Sequence, residues 1–389
     1  MTPHPRGFSL IELVVATALT STVLACVLAL LRPAQDAFTV QPEVADMQQR
    51  LRLAGDALTR GLAGAGAGAY LAGHTGPLIR FFAPVLPFRQ GLSSDDAPGT
   101  MRTDAVTVLA VPATAAQTTL ARPLAPGELT LQAAPEAGCP AGTNLCGFNI
   151  GLTIAIYDES GTFGVFTIAE VADDVSQITL TSRPDDSSST TYRAGSNVVQ
   201  VRVDTFALKA DAAAQAFQLT HADGSARADV PLVDHVVGLA FDYYGEPRPP
   251  VLASGAASYG PSPPPVGVQT SAYPPGENCG FRIDALSGEP VARLPALAPG
   301  TALVPLTAAQ LTDGPWCPDE ADANRWDADL LRIRTIGVTV RVEVASAALR
   351  GPARLLFAHP GSSTSPNRSA PDLEIRFQVS PRNLSGGRP

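Results

Sequence analysis

Three patterns of apolar and polar positions divide the chain. The first is unbroken: from Phe8 to Leu31, roughly 24 residues carry a single ionisable group, Glu12. At about 1.5 Å per residue they make a helix of about 36 Å, enough to cross a ~30 Å hydrocarbon layer. The run ends at Arg32-Pro33, a charge followed by a helix disruptor. The second pattern begins after Pro42. Val44, Met47, Leu51, Ala54, Leu58 and Leu62 recur at three- and four-residue steps, with Asp46, Gln49, Arg50, Arg52, Asp56 and Arg60 on other faces. This predicts an amphipathic helix that ends in the Gly-Ala run from Gly61 to Gly68, a flexible exit loop. The two segments together read as one long stalk helix interrupted near Pro33 and Pro42, its second half packing on the rest of the chain.

The third pattern has a period of two. Ala105–Val111 is an apolar run, and Leu152–Tyr157 and Phe163–Val171 flank Asp158-Glu159-Ser160-Gly161, a hairpin signal. Gln177–Thr181 and Val198–Val203 follow, and Val237, Leu239, Phe241 and Tyr243 alternate with smaller or polar neighbours. Ile336 to Val344 and Leu373 to Val379 alternate most clearly, with Thr339, Arg341 and Glu343 or Glu374, Arg376 and Gln378 on the other face. One polar face means a half-exposed antiparallel sheet. The fold class predicted is α+β: a long N-terminal helix, transmembrane in its first half and amphipathic in its second, packed on one face of an antiparallel β-sheet domain with long loops. The boundaries are a membrane helix over 8–31, stalk and Gly-rich exit over 32–68, and a β-rich domain over 69–389 containing a Pro-rich surface loop at 245–276.

Composition narrows the function. A net charge of −9 and a pI near 5.1 argue against a nucleic-acid surface. Pro (36) and Gly (34) favour strands and long turns over helical bundles. Of five cysteines, Cys26 lies inside the apolar helix, and the other four, Cys139, Cys146, Cys279 and Cys317, form an even set beyond it. Two disulfides are expected, with three possible pairings. Cys139–Cys146 and Cys279–Cys317 are favoured, because each closes a Pro/Gly-rich segment. Zinc is disfavoured: there is no Cys-x-x-Cys, and no histidine at ligand spacing. His4, His74, His221, His235 and His359 are scattered and no hydrolase motif occurs, so no catalytic set is expected.

The apolar run is too long for the h-region of a secretory signal, and no small-residue cleavage site follows Leu31. Gly7-Phe8-Ser9-Leu10-Ile11-Glu12 opening an uninterrupted hydrophobic helix resembles the processing site of the type IV pilin superfamily. The resemblance implies that residues 1–7 are a leader and that a prepilin peptidase cuts after Gly7. The new Phe8 amine is then methylated, and Glu12 pairs with the terminal amine of a neighbouring subunit during assembly. It also implies a cytoplasmic amino terminus, which the sparse flanking charges Arg6 and Arg32 support only weakly. Met47-Gln48-Gln49-Arg50-Leu51-Arg52, Val236–Tyr244, Ile333–Val344 and the segment Phe377 to Leu384 resemble PilW-type minor pilins in order. Partners implied are other minor and major pilins, an inner-membrane assembly platform and the lipid bilayer. The acidic segment from Asp319 offers oxygen ligands at alternate positions, which makes Asp319, Glu320, Asp322 and Asn324 weak calcium candidates, and the resemblance adds to this because related pseudopilins bind calcium; the EF-hand pattern fails at Arg325 and Leu331. No other cofactor is expected.

Overall fold

The computed structural model of the chain describes residues 9–68, 78, 81–90, 96–97, 99–112, 116–136, 138–158, 161–181, 191–211, 216–224, 229–247, 281–288, 290–292, 302–314, 316–317, 326–346, 349 and 372–385. Its first element is α1 (Leu10–Ala63), 54 residues without a break. The interruption expected near Pro33 and Pro42 does not occur. Each proline removes one N–H from the ladder, but strong helical sequence on both sides carries the helix through. Nor does the helix stop at Gly61. It closes at Gly64, whose N–H donates to the Leu62 carbonyl, and Gly61 is buried inside it. A Cβ there would collide with the Phe206 ring, so glycine is what lets helix and sheet approach.

Two antiparallel sheets, not one, receive the second half of α1. The first has five strands in the order β1 (Val85–Leu86), β2 (Ala105–Ala110), β9 (Arg202–Asp211), β10 (Ala216–Ala222), β11 (Val230–Asp234). The second has four: β15 (Val304–Leu306), β12 (Val236–Gly245), β18 (Ile333–Val342), β19 (Leu373–Val379). Met47, Ala54, Leu58 and Leu62 are fully buried in a shared core with Val106, Leu219, Leu239, Ile336 and Val340. In β18 the expected alternation holds from Val338 to Val342, where Thr339 and Arg341 are half-buried between buried valines, while Ile333 to Gly337 is buried throughout. The short pairs β13 (Phe281–Ile283) with β14 (Pro290–Ala292), and β16 (Trp316–Cys317) with β17 (Trp326–Asp327), complete the body with α2 (Arg382–Ser385).

Between β2 and β9 the chain builds a second core. Six strands run in the order β3 (Gln117–Thr119), β8 (Asn197–Gln200), β5 (Thr153–Tyr157), β6 (Phe163–Ala172), β7 (Gln177–Leu180), β4 (Thr130–Gln132). The ends meet: Leu120 bridges Ala133, the Ala121 N–H donates to the Gln132 carbonyl at 2.8 Å, and the Ala134 N–H to the Thr119 carbonyl at 2.8 Å. The sheet is therefore a closed barrel, which leaves no free edge. Its interior holds Leu120, Leu131, Leu145, Phe148, Ile154, Ile156, Phe166, Ile168, Ile178 and Val198. The expected single β-rich unit over 69–389 is thus a two-sheet body with an inserted barrel. Phe82 joins them, stacked on Phe163 at 4.6 Å and edge-on to Tyr157 at 5.5 Å.

The barrel's position follows from the helix exit. Gly66 donates to the Leu109 carbonyl and Val111 to the Ala67 carbonyl, which stitches the end of α1 to the end of β2. From there the chain enters the barrel. The barrel is therefore attached at the end of α1 opposite Leu10–Leu30.

Candidate functional site

The first turn of α1 holds the acid singled out by the sequence. Ser9 is extended (φ −76°, ψ 149°) and caps the helix: its Oγ accepts the Glu12 N–H at 3.2 Å, and its own N–H donates to Glu12 Oε2 at 2.9 Å. This is a capping box, two otherwise open donors satisfied reciprocally. Its signature, Ser-x-x-Glu before an apolar run, was readable in the sequence, which gave Glu12 a role but Ser9 none. Gly7 and Phe8 lie outside the described residues.

Behind Glu12 the helix is almost wholly apolar. Leu10–Leu30 is a 21-residue segment of mean hydropathy 2.4, and none of it is covered by the rest of the chain. The hydroxyls of Thr17, Thr20 and Thr22 donate back to the carbonyls of Leu13, Ala16 and Ala18 at 3.0, 2.8 and 2.8 Å, so they carry no open donor into an apolar medium. Cys26 is a free thiol on this segment.

Farther along, charged groups lock the helix to the body. Glu43 Oε2 accepts the Ala345 N–H at 3.0 Å and the Ser346 N–H at 3.4 Å, just past β18. Arg50 spans Asp46 on its own helix (2.6 Å) and Asp234 at the end of β11 (3.3 Å). His235, in the left-handed region at φ 54°, stands 3.8 Å from both Asp234 and the fully buried Glu343. It is a structural junction residue. His221 pairs with the buried Asp204 at 2.8 Å and stacks on Phe206. That makes a histidine–carboxylate pair within the sheet.

The calcium candidates Asp319, Glu320, Asp322 and Asn324 lie outside the described residues. Two acids that follow them are described and turn inward. Asp327 accepts the N–H groups of Gly314 and Asp329, both at 2.8 Å. Burial pushes its carboxyl up to about 8. Asp329, raised by burial to about 6, pairs with Arg332 at 2.9 Å. Arg332 also donates to the Glu246 and Pro247 carbonyls, and Arg334 pairs with the Glu246 carboxylate. Burial lowers the Arg334 guanidinium from its usual value. This buried network holds the first residues of the 245–276 segment to the start of β18.

Cys139 and Cys146 are bonded to one another, as expected. Cys317 is also disulfide-bonded; its expected partner Cys279 lies outside the described residues. Glu136 Oε2 sits 3.8 Å from Cys139 Sγ and 3.9 Å from Cys146 Sγ, an arrangement that cysteine spacing alone does not reveal.

A comparison with models of known protein families gives no match, and no curated protein is significantly similar in sequence. The fold and site define the class. The chain is an α+β protein of antiparallel sheets with one N-terminal helix long and apolar enough to cross a membrane.

Proposed function

We propose that the protein is a minor pilin of the PilW type, acting in initiation or assembly of a type IV pilus. Its role is structural: it turns over no substrate and needs no cofactor. A prepilin peptidase cleaves after Gly7, and the Phe8 amine is methylated. The Leu10–Leu30 segment holds the subunit in a bacterial inner membrane with its head in the periplasm. Glu12 docks the helix onto major and minor pilin neighbours at the assembly platform, in a heterologous stack that does not close. One observation carries this reading. The uncovered apolar segment bears a single ionisable group, placed in its first turn within Gly-Phe-Ser-Leu-Ile-Glu.

The test is a gene deletion complemented with wild type and with Glu12→Ala, scoring surface pili by electron microscopy and secreted protein in parallel. Loss of pili with normal secretion, restored only by wild type, is the expected result. Normal pili with failed secretion would instead make the protein a J-type minor pseudopilin of type II secretion. The barrel attached at the end of α1 opposite the apolar segment favours one further reading, an adhesin carried at the pilus tip. That reading predicts intact pili and lost surface attachment when the barrel is replaced by a short linker.

A further inference from the structure

The disulfide loop at the barrel's end is built in a way its covalent bond does not explain. The loop is fixed without the sulfurs. The Glu136 N–H donates to the Asn144 carbonyl at 2.9 Å, and Asp173 accepts the N–H groups of Asn144 and Leu145 at 3.0 and 2.7 Å. The Asn144 side chain returns a bond to the Asp173 carbonyl at 2.9 Å. Leu145 and Phe148 anchor the loop in the barrel core. None of these contacts passes through a sulfur.

Held by this frame, two sulfurs and one carboxylate oxygen converge. One ligand atom each from Glu136, Cys139 and Cys146 lies within 4.8 Å of the others. A tetrahedral zinc ion at ~2.3 Å from sulfur and ~2.1 Å from oxygen separates those ligands by ~3.6 Å. Glu136 Oε2 already stands at 3.8 and 3.9 Å from the two sulfurs. The Cys146 N–H points at Cys139 Sγ at 3.0 Å, the kind of donor that stabilises a thiolate. Among the described residues no cation pairs with Glu136.

We propose that reduction of the Cys139–Cys146 disulfide converts this loop into a site for a thiophilic divalent cation such as Zn²⁺. The ligands are Cys139 Sγ, Cys146 Sγ and a Glu136 carboxylate oxygen, with the fourth position left to solvent. The reductant is a dithiol. It closes to its own disulfide and delivers two electrons and two protons, which turn the Cys139–Cys146 bond into two thiols. Binding of the ion then releases both thiol protons, leaving three negative ligands around a dication. Reoxidation of the two thiolates would expel the ion, so metal and disulfide exclude each other.

The test uses the full chain in detergent, in a Cys26→Ala background, reduced with a phosphine and titrated anaerobically with Co²⁺ alone. One equivalent of Co²⁺ with a sulfur-to-cobalt charge-transfer band is expected, displaced by Zn²⁺ and absent from the unreduced protein. Glu136→Gln should weaken Co²⁺ by about tenfold or more. Its melting temperature with the disulfide intact should match wild type, so a weaker site is not a misfolded one. The proposal is overturned if the reduced chain gives no such band, if the barrel unfolds on reduction, or if the band survives in Cys139→Ser/Cys146→Ser.

Discussion

The two halves of α1 are one continuous helix with opposite fates. In the first, Leu10 is 82% and Leu30 73% exposed, and the apolar surface runs all the way round. In the second, Met47, Ala54, Leu58 and Leu62 are at 0%, and the outward faces carry Gln49, Arg52, Asp56 and Arg60. Burial of apolar surface stabilises at about 25 cal/mol per Å² wherever it occurs. The second half realises that gain within its own chain. For the first half the cover must come from outside, as lipid or as other helices. Over Leu10–Leu30 the helix is long and apolar enough to cross a membrane, with Glu12 its one acid, and none of it is covered by the rest of the chain. The difference separates a half that folds with the head from a half that the chain itself leaves uncovered.

Mutations can break this comparison if it is wrong. The largest contrast is between Leu58→Ala and Leu19→Ala. The first leaves a cavity in the shared core and should cost about 2–5 kcal/mol in chemical denaturation of the head. The second alters a side chain 63% exposed and should leave that transition unmoved. Equal losses would mean that the first half packs on the head. Next come two glycines of the buried half. Gly61→Ala forces a Cβ into Phe206 and should destabilise by about 1–3 kcal/mol. Gly55→Ala meets only Phe377 at 4.0 Å and should be neutral, or stabilising by up to about 1 kcal/mol through helix propensity. Glu43→Ala strands the Ala345 and Ser346 N–H groups and should cost about 1–2 kcal/mol, with faster hydrogen exchange at both amides.

The smallest expected effect at acid pH belongs to Asp327→Asn, and its value lies in the slope. Burial raises the folded Asp327 pKa to about 8, above its ordinary 3.8, so the folded state holds a proton that the unfolded chain gives up. The stabilisation from that proton is complete below pH ~4 and is lost as pH rises toward ~8. The asparagine amide of the variant has no such proton to lose. Wild type and variant should melt together near pH 4, and the variant should gain steadily on wild type up to pH 8. Parallel melting curves across that window would remove the protonated carboxyl from the account.

Much of the head was legible because local pattern and final pairing coincide. β19 occupies Leu373–Val379 as its alternation predicts, and β12 and β18 overlie their alternating runs. In the barrel, β5, β6 and β7 lie where their runs predict and β5 pairs with β6 as the hairpin signal predicts, but the closure was not legible. Two of its strands, β3 and β4, are three residues long, and its closure rests on a single bridge from Leu120 to Ala133. Val198–Val203 reads as one strand, since apolar residues do not announce a change of partner. In fact β8 pairs within the barrel, and after Val201 β9 pairs within the body. At the site, Glu12 stood out because an acid in an apolar run is costly. The Asp329–Arg332 and Glu246–Arg334 pairs did not, because charged residues beside a loop look solvated until the fold buries them.

The central claim, that the uncovered half of α1 is a processed assembly helix, meets its most direct test in the intact mass and N-terminal peptide of the native chain extracted from membranes. The account predicts a chain that has lost residues 1–7 and begins at an N-methylated Phe8. A chain retaining Met1–Gly7, or one cut after the apolar segment and freed from the membrane, would contradict it.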